Sequence, residues 1–376
     1  MKEGWTATTL GNVLQLEYGK PLDPADRDPN GLYPAYGANG VKDRTNKFYR
    51  DRQSIIVGRK GSAGELTLTE AKYWPLDVTY FVDYDRQRHD LQFLYYLLDS
   101  LNLTRLAKGV KPGINRNEVY ALRVLVPSLA EEQRIGGVLS DASNNIATAQ
   151  ANVDRCLQRA EDLGRALEEA CFDQHVDSAF EPKQLADLCE LIVDCEHKTA
   201  PTQEAGYPSI RTPNIGRGVL ILGDVNRVSE ETYQAWTRRA EPQPGDLILA
   251  REAPAGNIAI IPEGLKVCLG QRTVLIRPKA DIFMPQYLAH LLLQRRSQQR
   301  LLAHSRGATV EHINMKDIRA FKISHVPSLD VQRQAIDKLT DIDDQWQALA
   351  RAQTQKLAAL GELRSALLYR AFNGDL

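Results

Sequence analysis

The sequence predicts a mixed α/β (α+β) protein in which two similar globular heads alternate with two long coiled-coil helices. Three observations support this fold class: a series of short motifs that occurs twice in the same order, strand-like apolar runs inside each copy, and a heptad seam at the end of each copy. We expect the two helices to pair antiparallel, giving a pseudo-two-fold internal repeat. The predicted segments are residues 1–129 (first head), 130–175 (first spacer helix), 176–328 (second head) and 329–376 (second spacer helix).

The composition is that of an ordinary folded protein. The 376 residues are 43% hydrophobic and 25% charged, and the formal net charge of -1 argues against a protein that coats nucleic acid through gross positive charge. No apolar stretch has membrane-spanning length and the N-terminus does not resemble a signal peptide, so we expect a cytoplasmic protein without a membrane partner. The five cysteines form no CxxC pair and have no histidine at zinc-ligand spacing, so we expect neither a metal site nor a disulfide framework.

The internal repeat has the length of a domain. Arg59 and Arg251 occupy the same place in it, each after an apolar run, and Gly64 and Gly256 close the turns that follow. The matching pairs, in chain order, are Leu10–Leu16 with Leu185–Leu191, Tyr33–Asn39 with Tyr207–Asn214, Ser54–Gly64 with Asp246–Gly256, Ile114–Asn115 with Ile313–Asn314, Val126–Leu129 with Val326–Leu329, and Gln133–Arg134 with Gln332–Arg333. So many matches in one order indicate two copies of one fold.

Each copy contains both kinds of secondary structure. Short apolar runs bounded by Gly, Pro and Asn predict strands at 54–57, 247–250 and 274–277. Apolar residues at three- and four-residue spacing predict helices over 91–106 and 285–302.

Each copy ends in a heptad seam. From Ile135 to Ala170 apolar or small residues alternate steps of four and three, and no proline stands between Leu129 and Phe180. The second seam runs from Ala335 to Leu367 but carries polar residues at Gln353 and Lys356, which weaken the packing or fix its register. Packing of each helix on its own head is the simpler alternative. Roughly forty residues make a rod of about 60 Å, longer than one small domain needs, which favours pairing of the two helices.

Two similar heads on a paired-helix spacer suit a DNA duplex, whose equivalent faces recur about every 34 Å. The residues expected to face a ligand differ between the copies while the apolar skeleton repeats. The sequence therefore favours two different half-sites over a palindrome.

At this level of detail the chain resembles the specificity (S) subunits of type I restriction-modification systems over essentially its whole length. Segments similar to the target-recognition domains of that family are Glu196–Thr199, Ile210–Ile215, Gly245–Gly256 and Cys268–Arg272, and Val126–Leu129 with Glu132–Arg134 looks like the start of a family spacer helix. The first head departs from the pattern, with Gly58–Ser62 where the second head has Ala250–Pro254.

The resemblance implies a non-catalytic DNA sequence-specificity subunit, active in DNA methylation and phage defence, that reads a bipartite asymmetric target in double-stranded DNA. It implies two methyltransferase subunits as partners, which carry S-adenosylmethionine and modify adenine. Restriction (motor-nuclease) subunits that use ATP and Mg would join them. No cofactor is expected in this chain itself.

Candidate DNA contacts lie in loops. Arg59, Lys60 and Ser62, and Arg251 with Glu252, follow the apolar runs, where a short turn can push a guanidinium towards guanine in the major groove. Further candidates for base or phosphate contacts in the second head are His197, Lys198, Arg211, Thr212, Asn214, Gln271 and Arg272. Candidate phosphate clamps beside glycine-bearing loops are Lys108, Lys111, Arg116, Arg306 and His312. A solvated charged surface is the alternative for each of them.

Catalytic motifs are missing from the sequence. It has neither the Asn/Asp-Pro-Pro-Tyr/Phe stretch of an adenine methyltransferase nor a phosphate-binding P-loop. Asp246 with Glu252 is the nearest carboxylate pair for a metal nuclease, but Pro254 stands where the nuclease lysine is expected. Three other functions stay open at this point: a stand-alone sequence-specific DNA-binding regulator, a coiled-coil protein scaffold, and a metal nuclease.

Overall fold

The computed structural model describes residues 4–173, 181–303, 312–373 and 375–376. The strands of the first copy are β1 (Thr6–Thr9), β2 (Leu14–Tyr18), β3 (Tyr33–Gly37), β4 (Gly40–Thr45), β5 (Ile55–Gly58), β6 (Leu66–Leu68), β7 (Trp74–Pro75), β8 (Thr79–Tyr84) and β9 (Arg123–Val126), and its helices are α1 (Leu91–Ser100), α2 (Arg116–Tyr120) and α3 (Leu129–Asp173).

The second copy repeats the order of the strands, and its described residues contain six α-helices where those of the first copy contain three. Its strands are β10 (Lys183–Gln184), β11 (Cys189–Asp194), β12 (Tyr207–Ile210), β13 (Arg227–Val228), β14 (Leu247–Ala250), β15 (Ile258–Ile260), β16 (Cys268–Leu269), β17 (Thr273–Pro278) and β18 (Lys322–Ile323). Its helices are α4 (Leu185–Leu188), α5 (Glu230–Trp236), α6 (Pro285–Leu293), α7 (Arg295–Leu301), α8 (Met315–Arg319) and α9 (Leu329–Asn373).

The sheets of the two heads have the same strand order. The first head has a four-stranded antiparallel sheet, β2-β8-β5-β6, and the second has β11-β17-β14-β15. The three-stranded sheet β4-β3-β7 corresponds to β13-β12-β16, and each contains one parallel pair. A two-stranded ladder, β1-β9 or β10-β18, precedes each long helix. The mixed α+β fold class and the internal repeat predicted from the sequence are confirmed.

The repeated turn after β5 and β14 depends on glycine. Gly64 and Gly256 have φ of +88° and +87°, a left-handed conformation that other residues rarely adopt. A side chain on Gly64 would also stand 2.5 Å from the backbone of Leu103. Both turns therefore need the glycine that the sequence repeat contains.

Two predicted helices are shorter than expected. The segment 91–106 is not one helix, because α1 stops at Ser100 and Asn102 takes a left-handed conformation (φ 46°) before a 3-10 turn at Leu103–Leu106. The segment 285–302 is interrupted at Gln294, whose ψ of 146° ends α6 and starts α7. The apolar periodicity continued through both breaks, so the sequence pattern did not show them.

The chain forms two compact units that cut across both long helices. One unit comprises residues 1–156 and 351–376, and the other comprises residues 157–350. In the first unit, Ile135 and Leu139 of α3 share a core with Ala371 of α9 and with Phe93 of α1. In the second unit, Leu339 near the start of α9 shares a core with Phe172 near the end of α3. Each head thus packs against the beginning of its own long helix and the end of the other one.

The two long helices also contact each other inside the first unit. The amide of Gln353, a predicted polar seam residue, lies 3.8 Å from the Sγ atom of Cys156. Ile135 packs with Ala371 while Cys156 meets Gln353, so the two helices run antiparallel there. None of the helices in the described ranges combines the length and the apolar run that crossing a membrane requires.

The structure corrects one sequence alignment. The sequence pairs Gln133 with Gln332, but the long helices begin at Leu129 and Leu329, which makes Glu132 the equivalent of Gln332. Both side chains are fully buried. Glu132 accepts hydrogen bonds from Asp90 N (2.7 Å) and His89 Nδ1 (2.8 Å), and the Oε1 atom of Gln332 accepts one from Met284 N (2.8 Å).

Candidate nucleic-acid interface

Most of the predicted contact residues gather at one end of the four-stranded sheet in each head. In the first head, β2 ends at Tyr18 opposite Tyr80, and β5 ends at Gly58 opposite Thr79. The loop before α2 joins this end, because Ile114 N donates a hydrogen bond to Arg59 O at 3.2 Å. We call this end of either sheet, together with its loops, the loop edge. In the first head these loops follow β2 and β5 and precede β8 and α2. In the second head they follow β11 and β14 and precede β17 and α8.

The same arrangement recurs in the second head. Asp194 at the end of β11 lies opposite Val274, and Ala250 at the end of β14 lies opposite Thr273. The backbone contact between loops is repeated as well, with Ile313 N donating to Arg251 O at 2.9 Å. Arg59 and Arg251 are therefore structural equivalents, and so are Tyr18 and Asp194.

In the first head, Arg59 packs on an aromatic ring. Its guanidinium lies 5.4 Å from the centre of the Tyr18 ring, and the guanidinium of Arg116 lies 5.1 Å from the same centre. Arg59 also donates to Asp77 O through Nε (3.2 Å) and Nη2 (2.6 Å). Tyr18 remains 47% exposed, so this group of two cations and one ring faces solvent.

Lysines surround that group. Lys60 and Lys111 are exposed, and Lys108 is exposed as well but pairs with Glu118 at 2.8 Å. Ser62 is half-buried, and its carbonyl accepts a hydrogen bond from Glu65 N within the turn. The loop edge of the first head therefore presents more cations than carboxylates, which suits a phosphate backbone.

In the second head, Arg251 is held inside the protein. Its side chain is only 11% exposed, and its Nε donates to Ile313 O at 2.9 Å. Its Nη1 lies 3.4 Å from Asp194 Oδ2, and its Nη2 lies 2.9 Å from His312 Nε2. These contacts use the groups with which an arginine would bind guanine, so Arg251 fixes the positions of β11 and of the segment around His312.

A chain of polar contacts continues outward from Arg251. His312 Nδ1 lies 3.1 Å from Glu252 Oε1, and Glu252 Oε2 pairs with Arg272 Nε at 2.9 Å. A single tautomer of His312, with its proton on Nδ1, satisfies both of its contacts. Arg272 has a left-handed backbone (φ 66°) and a 63% exposed side chain. The network therefore ends in a guanidinium that faces solvent.

Six predicted contact residues line one cavity of about 280 Å³ at this loop edge: His197, Arg251, Glu252, Gln271, Arg272 and His312. His197 is 68% exposed and lies 3.1 Å from Asp194 Oδ2 through Nε2. The side-chain amide of Gln271 is directed at His197 O, 3.5 Å away. The structure thus brings together, in one cavity, residues that lie more than a hundred positions apart in the sequence.

The remaining candidates have other places. Arg211 is exposed and packs beside Gly270, whereas Asn214 holds its own loop through bonds from Arg211 N (3.1 Å) and to Ile221 O (3.2 Å). Thr212 is half-buried in the same 3-10 turn, and Lys198 is exposed beside His197. Arg306 lies outside the described residues.

Three side chains of the second head resemble a metal-binding group. Asp194, Cys195 and His197 bring a carboxylate, a thiol and an imidazole within 4.8 Å of one another. The Asp194 carboxylate, however, already contacts the guanidinium of Arg251. Burial raises the pKa of the Cys195 thiol, which favours the protonated form over the thiolate that binds metals. The absence of a metal site stays a prediction.

The carboxylate pair considered for a nuclease is not a pair. Asp246 precedes β14 and Glu252 follows it, so the two carboxylates stand at opposite ends of that strand. Both oxygens of Asp246 bind Arg277, at 2.8 and 2.7 Å. These two residues do not form a shared cation site.

Sequence reasoning missed three residues of the loop edge. Tyr18 and Asp194 sit at equivalent positions and contact equivalent arginines, and Asp77 binds Arg59 through its carbonyl. The repeat itself contained the signal, because Tyr18 and Asp194 lie two and three residues after the two copies of the first matching motif. Their partners lie some forty to sixty residues away, which no local pattern shows.

Comparison with known proteins supplies the family. The sequence model of the "Type I restriction modification DNA specificity domain" matches residues 2–154 and 177–359. The chain belongs to this specificity-domain family. Both matched ranges contain one head and the beginning of the long helix that follows it.

Individual relatives agree with this assignment. The chain is 21% identical to the type I restriction enzyme MjaVIII specificity subunit of Methanocaldococcus jannaschii, over 97% of this chain and 92% of that protein. It is 19% identical to the EcoprrI specificity subunit of Escherichia coli over 44% of this chain, and it spans only 42% of that relative's length. A chain solved in a structure of the type I R-M system has the same fold, with a TM-score of 0.74, 19% identity, and coverage of 100% of this chain and 99% of that one.

Proposed function

We propose that this chain is the DNA-reading specificity subunit of a type I restriction-modification enzyme and that each head reads one half of a bipartite, asymmetric target. One observation supports this most directly: equivalent loops of the two heads gather polar and charged side chains at the same end of the same sheet, but with different residues. Equivalent scaffolds with different contact residues suit two different half-sites.

The proposed DNA contacts are the exposed members of the predicted set, together with the half-buried Arg59, Arg116 and Gln271 of the same loop edges. In the first head, Arg59 is the proposed base contact, and the proposed phosphate contacts are Lys60, Lys108, Lys111 and Arg116. In the second head, the proposed base contacts are His197, Lys198, Gln271 and Arg272. Arg211 and Arg306 remain candidate phosphate contacts.

The other members are proposed to shape the loops. Arg251, Glu252 and His312 form the network that holds Arg272, so they act as positioning residues. Ser62, Thr212 and Asn214 are assigned the same role because they lie within turns.

The proposal includes partners that perform the chemistry. Two methyltransferase subunits would supply S-adenosylmethionine and modify adenine, and restriction subunits would supply ATP-driven, Mg-dependent cleavage. This chain would contribute binding and register without a catalytic group or a cofactor of its own. A cytoplasmic location follows from the same proposal, since the DNA and these partners are found there.

The deciding experiment is co-expression of the full chain with the methyltransferase from its own source, followed by mapping of methylated adenines across genomic DNA. A split target with a fixed gap supports the proposal and names both half-sites. No complex and no methylation would overturn it. Sequence-specific binding of DNA without partners would then indicate a stand-alone regulator, and no salt-sensitive DNA affinity would indicate a protein scaffold.

A further inference from the structure

The loop at residues 108–113 of the first head presents one apolar side chain at its tip. Val110 has a relative exposure of 105%, the largest among the exposed large hydrophobic residues of the described chain. The residues around it are glycine, proline and lysine. Single exposed apolar residues are common on protein surfaces, so exposure alone assigns Val110 no role. Its position does the arguing, because it stands between glycine and lysine at the tip of a loop that belongs to the loop edge.

The stem of this loop is fixed at the loop edge. Lys108 and Gly113 exchange two backbone hydrogen bonds of 3.0 Å, and Gly61 N donates to Pro112 O at 2.9 Å. A left-handed Gly109 (φ 93°) turns the chain, and the ring of Pro112 restricts it. The tip therefore has a defined position beside the turn that carries Arg59 and Lys60.

The size of the apolar surface argues against a protein or membrane partner for this tip. A stable protein interface buries roughly 800 Å² per partner, far more than one valine offers. The exposed Lys111 follows Val110 directly, and the exposed Lys60 precedes Gly61, whose amide binds Pro112 of the same loop. A single small apolar group within a cationic surface matches a DNA groove, where one methyl group lies between two phosphate backbones.

We propose that Val110 reads a thymine, packing its methyl groups against the C5 methyl of one thymine in the major groove of the half-site bound by the first head. Thymine alone among the four bases places a methyl group in that groove, which is wide enough to admit a narrow loop closed by the Lys108–Gly113 pair. Lys60 and Lys111 would contact phosphates on either side. This inference rests on the proposed DNA-reading function.

The test uses the full chain in complex with its methyltransferase partner and a duplex carrying the mapped target. Each thymine of both half-sites is replaced in turn by deoxyuridine, which lacks only the methyl group, and affinity is measured by fluorescence anisotropy. For the wild-type chain we expect one position at which the replacement weakens binding about fourfold, the value of one buried methyl group. The variant Val110→Ala should bind the thymine and uracil duplexes equally at that position.

Val41→Ala is the matched control, because Val41 is also exposed (54%) but lies in β4, on the far side of β3 from β7. It should keep the wild-type response at every position. Lys111→Ala should weaken binding to all duplexes alike, as expected for a phosphate contact.

The inference is overturned if no thymine replacement distinguishes the wild-type chain from Val110→Ala. It is also overturned if Val41→Ala changes the response in the same way. A complex that shows no sequence-specific binding at all would instead remove the proposed function, so the two failures are distinguishable.

Discussion

Equivalent arginines have different surroundings in the two heads. Arg59 lies on the exposed ring of Tyr18, whereas Arg251 is enclosed by Asp194, His312 and a backbone carbonyl. The difference follows from one exchange at the end of the first sheet strand, a ring in one head and a carboxylate in the other. The same scaffold position therefore suits the proposed DNA contact in one head and loop positioning in the other.

Alanine at these two positions should separate the two roles. Arg251→Ala removes charge-assisted bonds from a mostly buried site, so we expect the second unit to lose about 2 kcal/mol of stability. Arg59→Ala removes contacts at a more exposed site and should cost less than about 1 kcal/mol, while weakening DNA binding. Thermal unfolding and DNA affinity of both variants check this. A large stability loss in Arg59→Ala with unchanged DNA affinity would contradict the assignment.

The buried pair of equivalents Glu132 and Gln332 suggests a second substitution series. Glu132→Ala leaves the amide of Asp90 and the ring of His89 without their acceptor, so we expect a loss of about 2 to 3 kcal/mol. Glu132→Gln should cost less than about 1 kcal/mol, because its amide oxygen can accept from Asp90 N as Gln332 does from Met284 N. Its amide nitrogen can donate to His89 Nδ1 when that ring carries its proton on Nε2. Hydrogen-exchange protection of α1 measures both. Equal losses in the two variants would show that the negative charge matters rather than the acceptor.

At the scale of residues, the sequence predicted positions better than partners. It placed Arg59 and Arg251 at equivalent turns because an apolar run and a glycine bracket each of them. It did not show that Asp194 and His312 enclose Arg251, since those contacts span about sixty residues in each direction. Local sequence patterns indicate where a strand begins and ends, whereas tertiary packing determines which residues its side chains contact.

At the scale of elements, the long helices were the most predictable feature. Their seams predicted helices that begin after Val126-Pro127 and Val326-Pro327, and the structure has 45-residue helices from Leu129 and Leu329. The sequence left two alternatives, packing of each helix on a head and pairing of the two helices. Both occur, because each helix packs on a head and the two helices also contact each other at Gln353 and Cys156. The seam showed an apolar face but not which surfaces cover it.

The end of α9 should stabilise the first head selectively. Ala371 is completely buried in the core that contains Phe93, and Phe372 lies 5.5 Å from the Phe93 ring. Ala371→Asp places a charge in that core and should destabilise the first unit by about 3 kcal/mol or more, leaving the second unit unchanged. Hydrogen exchange resolved by segment measures the two units separately.

Ala366→Asp is the control, because Ala366 lies on the exposed face of the same helix five residues earlier. It should change neither unit. Loss of protection in the second unit rather than the first would contradict the packing of α9 on the first head.

At the scale of the whole molecule, sequence segments and compact units divide the chain differently. The sequence suggests divisions at residues 130, 176 and 329, where the pattern changes from mixed to heptad. Contacts instead group residues 1–156 with 351–376, because the end of one helix belongs to the core built by the other end of the chain. A division of this kind is invisible to any pattern read along the chain.

Charge shows a similar contrast between the total and its distribution. The net charge of -1 does not indicate a cationic surface. The loop edge of the first head nevertheless presents an excess of exposed cations. In the second head, carboxylates at 194 and 252 offset the arginines, so we expect less of the salt dependence of binding to arise there.

The length of the long helices should set the gap between the half-sites. Deleting residues 153–159 from α3 and 350–356 from α9 removes seven residues from each, nearly two helical turns, and takes Cys156 and its partner Gln353 out together. The helix segments that pack on each head remain. At about 1.5 Å per residue and about 3.4 Å per base pair, the gap should shorten by at most about three base pairs.

Methylation mapping with the shortened chain tests this directly. Both half-sites should keep their bases, because the loop edges are untouched, and only the number of bases between them should fall. Deletion of the seven residues from α3 alone is the control: it keeps the heptad phase but leaves α3 one heptad shorter than α9, so it should abolish methylation rather than shift the gap. If the recognised bases changed while the gap stayed fixed, the helices would not act as the spacer, and the heads would have to find their half-sites through the partner subunits instead.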